Sequence, residues 1–97
     1  MLSPRIIKND EVSHKERAPG VTVSAYVTNE TGATEISSGI TAFAPGYSNT
    51  THYHNAEESV IVIEGAGTLI IYGEENHVTV NDAAFITRET HHRLINT

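Results

Sequence analysis

Two histidines stand two residues apart at His52 and His54, and Glu58 follows four residues after the second. In an extended strand the side chains alternate faces, so positions i and i+2 point the same way. That parity aims both imidazoles at one point and turns Tyr53 to the opposite face. Imidazole and carboxylate without thiolate suit a first-row divalent metal. The stretch 46–65, GYSNTTHYHNAEESVIVIEG, therefore reads as the source of three metal ligands, His52, His54 and Glu58. Glu57 is the competing carboxylate. Protonated imidazole does not ligate, so metal affinity is expected to fall as the solution is acidified.

The elements that must position these groups are strands. Residues 21–29, VTVSAYVTN, alternate with a period of two. Residues 36–44 form a weaker strand with Gly39 as a bulge candidate. Residues 60–64, VIVIE, and 68–72, TLIIY, are apolar on both faces, and Gly65-Ala66-Gly67 between them reads as a tight hairpin. Residues 73–76 are a turn, followed by short strands over 77–80, 83–87 and 92–96. Residues 1–20 are an N-terminal arm or edge strand, with Ile6 and Ile7 as its strand candidates and His14 and Lys15 in a solvated loop. No stretch holds a helical period. Short strands with frequent turn signals indicate an all-β sandwich or barrel.

Ninety-seven residues make a single domain over 1–97 with a modest core. There is no cysteine to brace it. Six Lys+Arg stand against twelve Asp+Glu, a formal net charge of -6, and the cations are scattered along the sequence. This argues against nucleic acid and against an anionic membrane surface as partners. No apolar run has signal-peptide or membrane-span length, so a cytoplasmic protein is the expectation. A strand apolar on both faces needs cover on both. A second subunit, giving a homodimer, or a second sheet of the same chain would each supply it.

Gly46, His52, His54, Glu58 and Gly65 fall on the pattern G-x5-H-x-H-x3-E-x6-G. In this the chain resembles the cupin superfamily, in its small single-domain form. The family's second motif, G-x5-P-x-G-x2-H-x3-N, resembles residues 81–96, matched at His92 and Asn96. Asn81, Thr87 and Glu89 stand where the family has glycine, proline and glycine. Asparagine tolerates positive φ, so the first departure is mild. The other two lack the family's turn chemistry, and the loop before His92 is expected to differ in shape. The resemblance implies a small cupin β-barrel, or jelly roll, of two antiparallel sheets. It makes His92 the fourth metal ligand beside His52, His54 and Glu58. The neighbour His91 is the alternative, and the x3-N spacing and the face shared with Leu94 select His92. Many relatives run on for another strand past the asparagine, so a missing, truncated or partner-supplied strand is expected after Thr97.

A site of three neutral imidazoles and one carboxylate leaves a bound divalent ion with a formal charge of about +1 and open coordination positions. Mn, Fe, Co, Ni, Cu and Zn all fit that set. The reading is a metal-dependent enzyme of dioxygenase or isomerase type, acting on a small anionic organic substrate. A non-catalytic small-molecule binding or sensing module is the alternative. The sequence names no separate catalytic or substrate-binding residue.

Overall fold

The computed structural model describes residues 4–97. Its chain divides into two compact units, Met1–Ala42 and Phe43–Thr97. Strands dominate, and short 3-10 turns at Asn9–Glu11 and Asn29–Thr31 are the helical elements among the described residues. No helix there is long and apolar enough to cross a membrane.

The first unit is built on a three-stranded sheet in the order β1-β2-β3, with β1 at His14–Ala18, β2 at Val21–Val27 and β3 at Ser38–Phe43. Ile6 and Ile7, expected as strand, are irregular. His14 and Lys15, expected as loop, lie in β1. The sequence HKERA has no apolar alternation, and its residues are almost all exposed. What holds this strand is its antiparallel ladder to β2, with Lys15 opposite Val23 and Glu16 opposite Thr22. Ser24, on β2, is buried and meets the His14 ring through its hydroxyl. Gly39 needs no side chain for a plain reason: a Cβ there would lie 2.6 Å from the Ser24 carbonyl oxygen.

The second unit carries two antiparallel sheets. One pairs β4, Glu58–Ile61, with β7, Ala83–Ile86. The other has the order β6-β5-β8, with β5 at Ala66–Ile71, β6 at Glu74–Thr79 and β8 at His92–Ile95. The hairpin expected at Gly65–Gly67 is therefore corrected: β4 and β5 are not partners. Beyond β4, the Val62 N–H donates to the Asp82 carbonyl at 3.0 Å and the Asn81 N–H donates to the Val62 carbonyl at 2.9 Å. These bonds extend the β4–β7 ladder and commit residues 60–62 to residues 81–84. The tight turn instead joins β5 to β6 through Tyr72-Gly73. Both residues have positive φ, 49° and 80°, as a two-residue type I′ hairpin requires. The turn expected over 73–76 is shorter for that reason, and β6 begins at Glu74.

Gly67 serves packing rather than turning. A Cβ on it would lie 2.6 Å from the Ile95 carbonyl oxygen, so its missing side chain lets β8 close on β5. Leu69, mid-strand and 3% exposed, pairs with Leu94 across that contact. Ile86 on β7 and Val21 on β2 are the other buried hydrophobic residues among those described.

Candidate metal centre

The last strand returns to the first motif by two reciprocal backbone bonds. The His52 N–H donates to the His92 carbonyl at 3.0 Å, and the His92 N–H donates to the His52 carbonyl at 2.9 Å. This is a hydrogen-bonded antiparallel pair, so the two side chains leave on the same face. His52 is not in a regular strand, as parity assumed, but in an isolated bridge opposite His92. The rings still converge, with centroids 4.3 Å apart for His52–His92 and 4.9 Å for His52–His54.

One ligating nitrogen from each of His52, His54 and His92 can be chosen so that all lie within 4.8 Å of one another. Glu58 opens β4 and brings Oε1 to 3.1 Å from His92 Nε2 and 3.9 Å from His54 Nε2. His92 is the buried member at 4% exposure, whereas His54 is open to solvent. Glu57 is exposed. The His91 ring lies against Tyr53, centroids 4.8 Å apart, so His91 and His92 leave the strand towards different neighbours.

Two backbone carbonyls, which the sequence reading did not single out, set the tautomers. His52 Nδ1 lies 2.7 Å from the Thr50 oxygen, and His92 Nδ1 lies 2.8 Å from the Thr90 oxygen. A carbonyl accepts only, so each Nδ1 carries the proton and donates. In the neutral ring that leaves the Nε2 lone pair free. Holding the outer nitrogen in this way is how metal-ligating histidines are oriented. Any residue offers a carbonyl, so no sequence signal marked Thr50 or Thr90.

The same tautomers test whether the residues suit a cation. Glu58 Oε1 is buried and makes no hydrogen bond. It faces the lone pair of His92 Nε2 at 3.1 Å, acceptor against acceptor. Such a contact is repulsive unless positive charge sits at that point, and a buried acceptor left unpaired costs about 1–3 kcal/mol. A proton on His92 would relieve this one contact. A divalent cation would serve the carboxylate and the imidazoles together, and the donor set fits one.

The second motif frames this cluster. The Glu89 N–H donates to the His54 carbonyl at 2.7 Å. Glu89 keeps positive φ, 59°, and Asn81 does so at 73°. The glycine-like backbone thus persists at both positions without glycine. Thr87 and Thr90 join hydroxyls beneath the loop. Asn96 secures the start of the first motif: its side-chain amide donates to the Phe43 carbonyl at 2.7 Å, and its own carbonyl accepts from the Gly46 N–H at 2.8 Å.

The chain is similar to several known proteins. It is 33% identical, over 93% of its length, to the tetracenomycin polyketide synthase protein TcmJ of Streptomyces glaucescens, and it spans 61% of that protein. Among solved structures, KdgF from Halomonas sp. matches 97% of this chain and 83% of its own at a TM-score of 0.82 and 19% identity. The polyketide cyclase RemF from Streptomyces resistomycificus matches 97% of this chain and 70% of its own at 0.82 and 23% identity. A predicted oxalate decarboxylase from Thermotoga maritima matches 96% and 88% at 0.79 and 19% identity. At those identities the structural likeness speaks for the fold. The cupin domain family matches residues 39–97, which hold both motifs and the whole histidine cluster, and the chain belongs to that family.

Proposed function

We propose that the protein is a metal-dependent enzyme in which His52, His54, Glu58 and His92 hold a divalent transition metal. One observation carries this reading: the three imidazoles and the Glu58 carboxylate converge, and Glu58 Oε1 faces His92 Nε2 acceptor against acceptor. When bound, such a metal supplies Lewis acidity towards a carboxylate or enolate oxygen, or a redox couple towards O2. The chain's own part is to orient the imidazoles through the Thr50 and Thr90 carbonyls. Its substrate is a small, oxygen-rich organic anion. The polyketide synthase protein and the polyketide cyclase among the similar proteins favour a molecule of polyketide type, rich in enolisable carbonyls. Isomerase-type proton transfer and dioxygenation are the two reaction classes.

The test has two stages. Elemental analysis of protein purified without added metal should give close to one metal per chain, and a His52→Ala/His54→Ala variant should lose it. Equal, sub-stoichiometric metal in both would overturn the reading. A screen of enolisable and phenolic substrates then separates the classes by oxygen uptake. A ligand that raises the melting temperature without turnover would mark a binding module instead.

A homodimer completes the proposal. Ser59 pairs with Phe85 and Ile61 with Ala83, so these four share one face of the β4–β7 pair. Ile61 is 60% exposed and Phe85 65%. In a chain of net charge -6, this face carries no charge, and a second copy is the partner that such a surface suits.

A further inference from the structure

The six basic residues look scattered along the sequence, but the fold gathers three of them. Arg5, Lys15 and Arg17 all line one cavity of about 400 Å³ in the first unit. The register explains how. Lys15 stands opposite Val23 on the β1–β2 pair, so it shares the face of Val23 and Ala25, and the register shift between Glu16 and Ala18 leaves Arg17 unpaired at a bulge, where it lines the same cavity. The segment bearing Arg5 and Ile7 and the two 3-10 turns complete the walls. Ile7, Val12, Val23 and Ala25 give the cavity an apolar lining. Tyr26 also borders the cavity, and its hydroxyl donates to Asn9 Oδ1 at 2.7 Å.

The charges there are under-compensated. Arg5 has a loose contact to Glu11 at 3.9 Å, with both side chains about half exposed. Among the described residues, neither Lys15 nor Arg17 has a carboxylate within 4.0 Å. Yet carboxylates outnumber cations two to one, twelve to six. Cations left unpaired around a concave, partly apolar space draw an anion. Glu11 and Glu30 also line the cavity. Three cations and two carboxylates leave a formal charge of one, which suits a single acid group and disfavours a compact polyanion.

We propose that this cavity binds a small organic monocarboxylate with an apolar or aromatic body. The acid group lies between Lys15 and Arg17, and the body lies against Val23 and Ala25. Its residues are distinct from those of the histidine cluster.

Sodium benzoate is the probe, titrated into the full-length 15N-labelled chain and followed by amide chemical shifts. Saturable shifts are expected at Lys15, Val23, Ala25 and Thr28. Lys15→Gln/Arg17→Gln should weaken binding at least about tenfold, a loss of about 1.4 kcal/mol or more, because charge-assisted contacts to the acid group are removed. Glu30→Gln removes an opposing charge and should tighten binding severalfold, which keeps the test decisive if the double variant does not fold. Shifts that do not saturate, or that centre on His52 and His92, would overturn the proposal. So would affinities unchanged in the variants, or inorganic phosphate binding as tightly as benzoate.

Discussion

Truncating His92 to alanine removes the buried imidazole whose Nδ1 donates to the Thr90 carbonyl. It also leaves the Thr90 carbonyl without that donor and Glu58 Oε1 without its nearest neighbour. His91→Ala removes an exposed ring that lies against Tyr53. The two adjacent substitutions should therefore separate cleanly. Metal content measured by elemental analysis should fall by more than about tenfold for His92→Ala, in line with loss of a ligand and its orienting bond. His91→Ala should keep close to the parent's stoichiometry. Glu58→Gln keeps the shape but replaces one acceptor oxygen with an amide. If Glu58 is a ligand, this change should also weaken metal binding by about tenfold or more. A Glu58→Gln protein that retained full affinity would reduce the site to the three histidines.

At the level of the elements, backbone strain and close approach decide what the loops can accept. Glu89 holds φ at 59°, a conformation that costs a residue with a Cβ about 1–2 kcal/mol. It is kept because its N–H must reach the His54 carbonyl. Glu89→Gly relieves that strain but gives back some unfolded-state entropy. The net expectation is a gain of roughly 0.5 kcal/mol, seen as a small rise in the denaturation midpoint, with metal content unchanged. Gly67→Ala has the opposite sign. Its Cβ would meet the Ile95 carbonyl oxygen at 2.6 Å, and backbone has no easy way to yield. A loss of about 1–3 kcal/mol follows, and because β8 carries His92, metal binding should weaken as well.

The same elements show what the sequence made legible. Strong apolar alternation or a β-branched run marks β2 and β5 to within a few residues of their observed bounds. It does not mark the partner of β5. Gly65-Ala66-Gly67 looks like a hairpin turn, while the structure uses Gly67 to admit β8 and gives the turn to Tyr72-Gly73. A tyrosine at positive φ carries no turn signal. β1 was missed because an edge strand held only by its ladder needs no apolar pattern. The ligand-bearing stretch stood out because side-chain types at fixed spacing survive irregular backbone. His52 lies in a bridge rather than a strand, yet it meets the same neighbours.

At the scale of the whole molecule, the proposed homodimer must reconcile a large negative charge with self-association. Two copies at -6 each repel, and the repulsion is screened by salt over about 8–10 Å. Association through an uncharged apolar patch evades most of it. The face made by Ser59, Ile61, Ala83 and Phe85 is such a patch, with Ile63 also 65% exposed near by in the chain. In a two-fold contact any substitution is present twice. Ile61→Lys would therefore bury two ammonium groups in one interface, at several kcal/mol per ion before relaxation. Sedimentation equilibrium should find the parent at about twice the chain mass of 10.5 kDa and the Ile61→Lys variant at the monomer mass at the same concentration. Phe85→Lys should do the same from the neighbouring strand. His52, His54, Glu58 and His92 all belong to one chain, so the monomeric variants should keep the parent's metal stoichiometry. A parent that sediments as a monomer, or variants that remain dimeric, would remove this face as the interface.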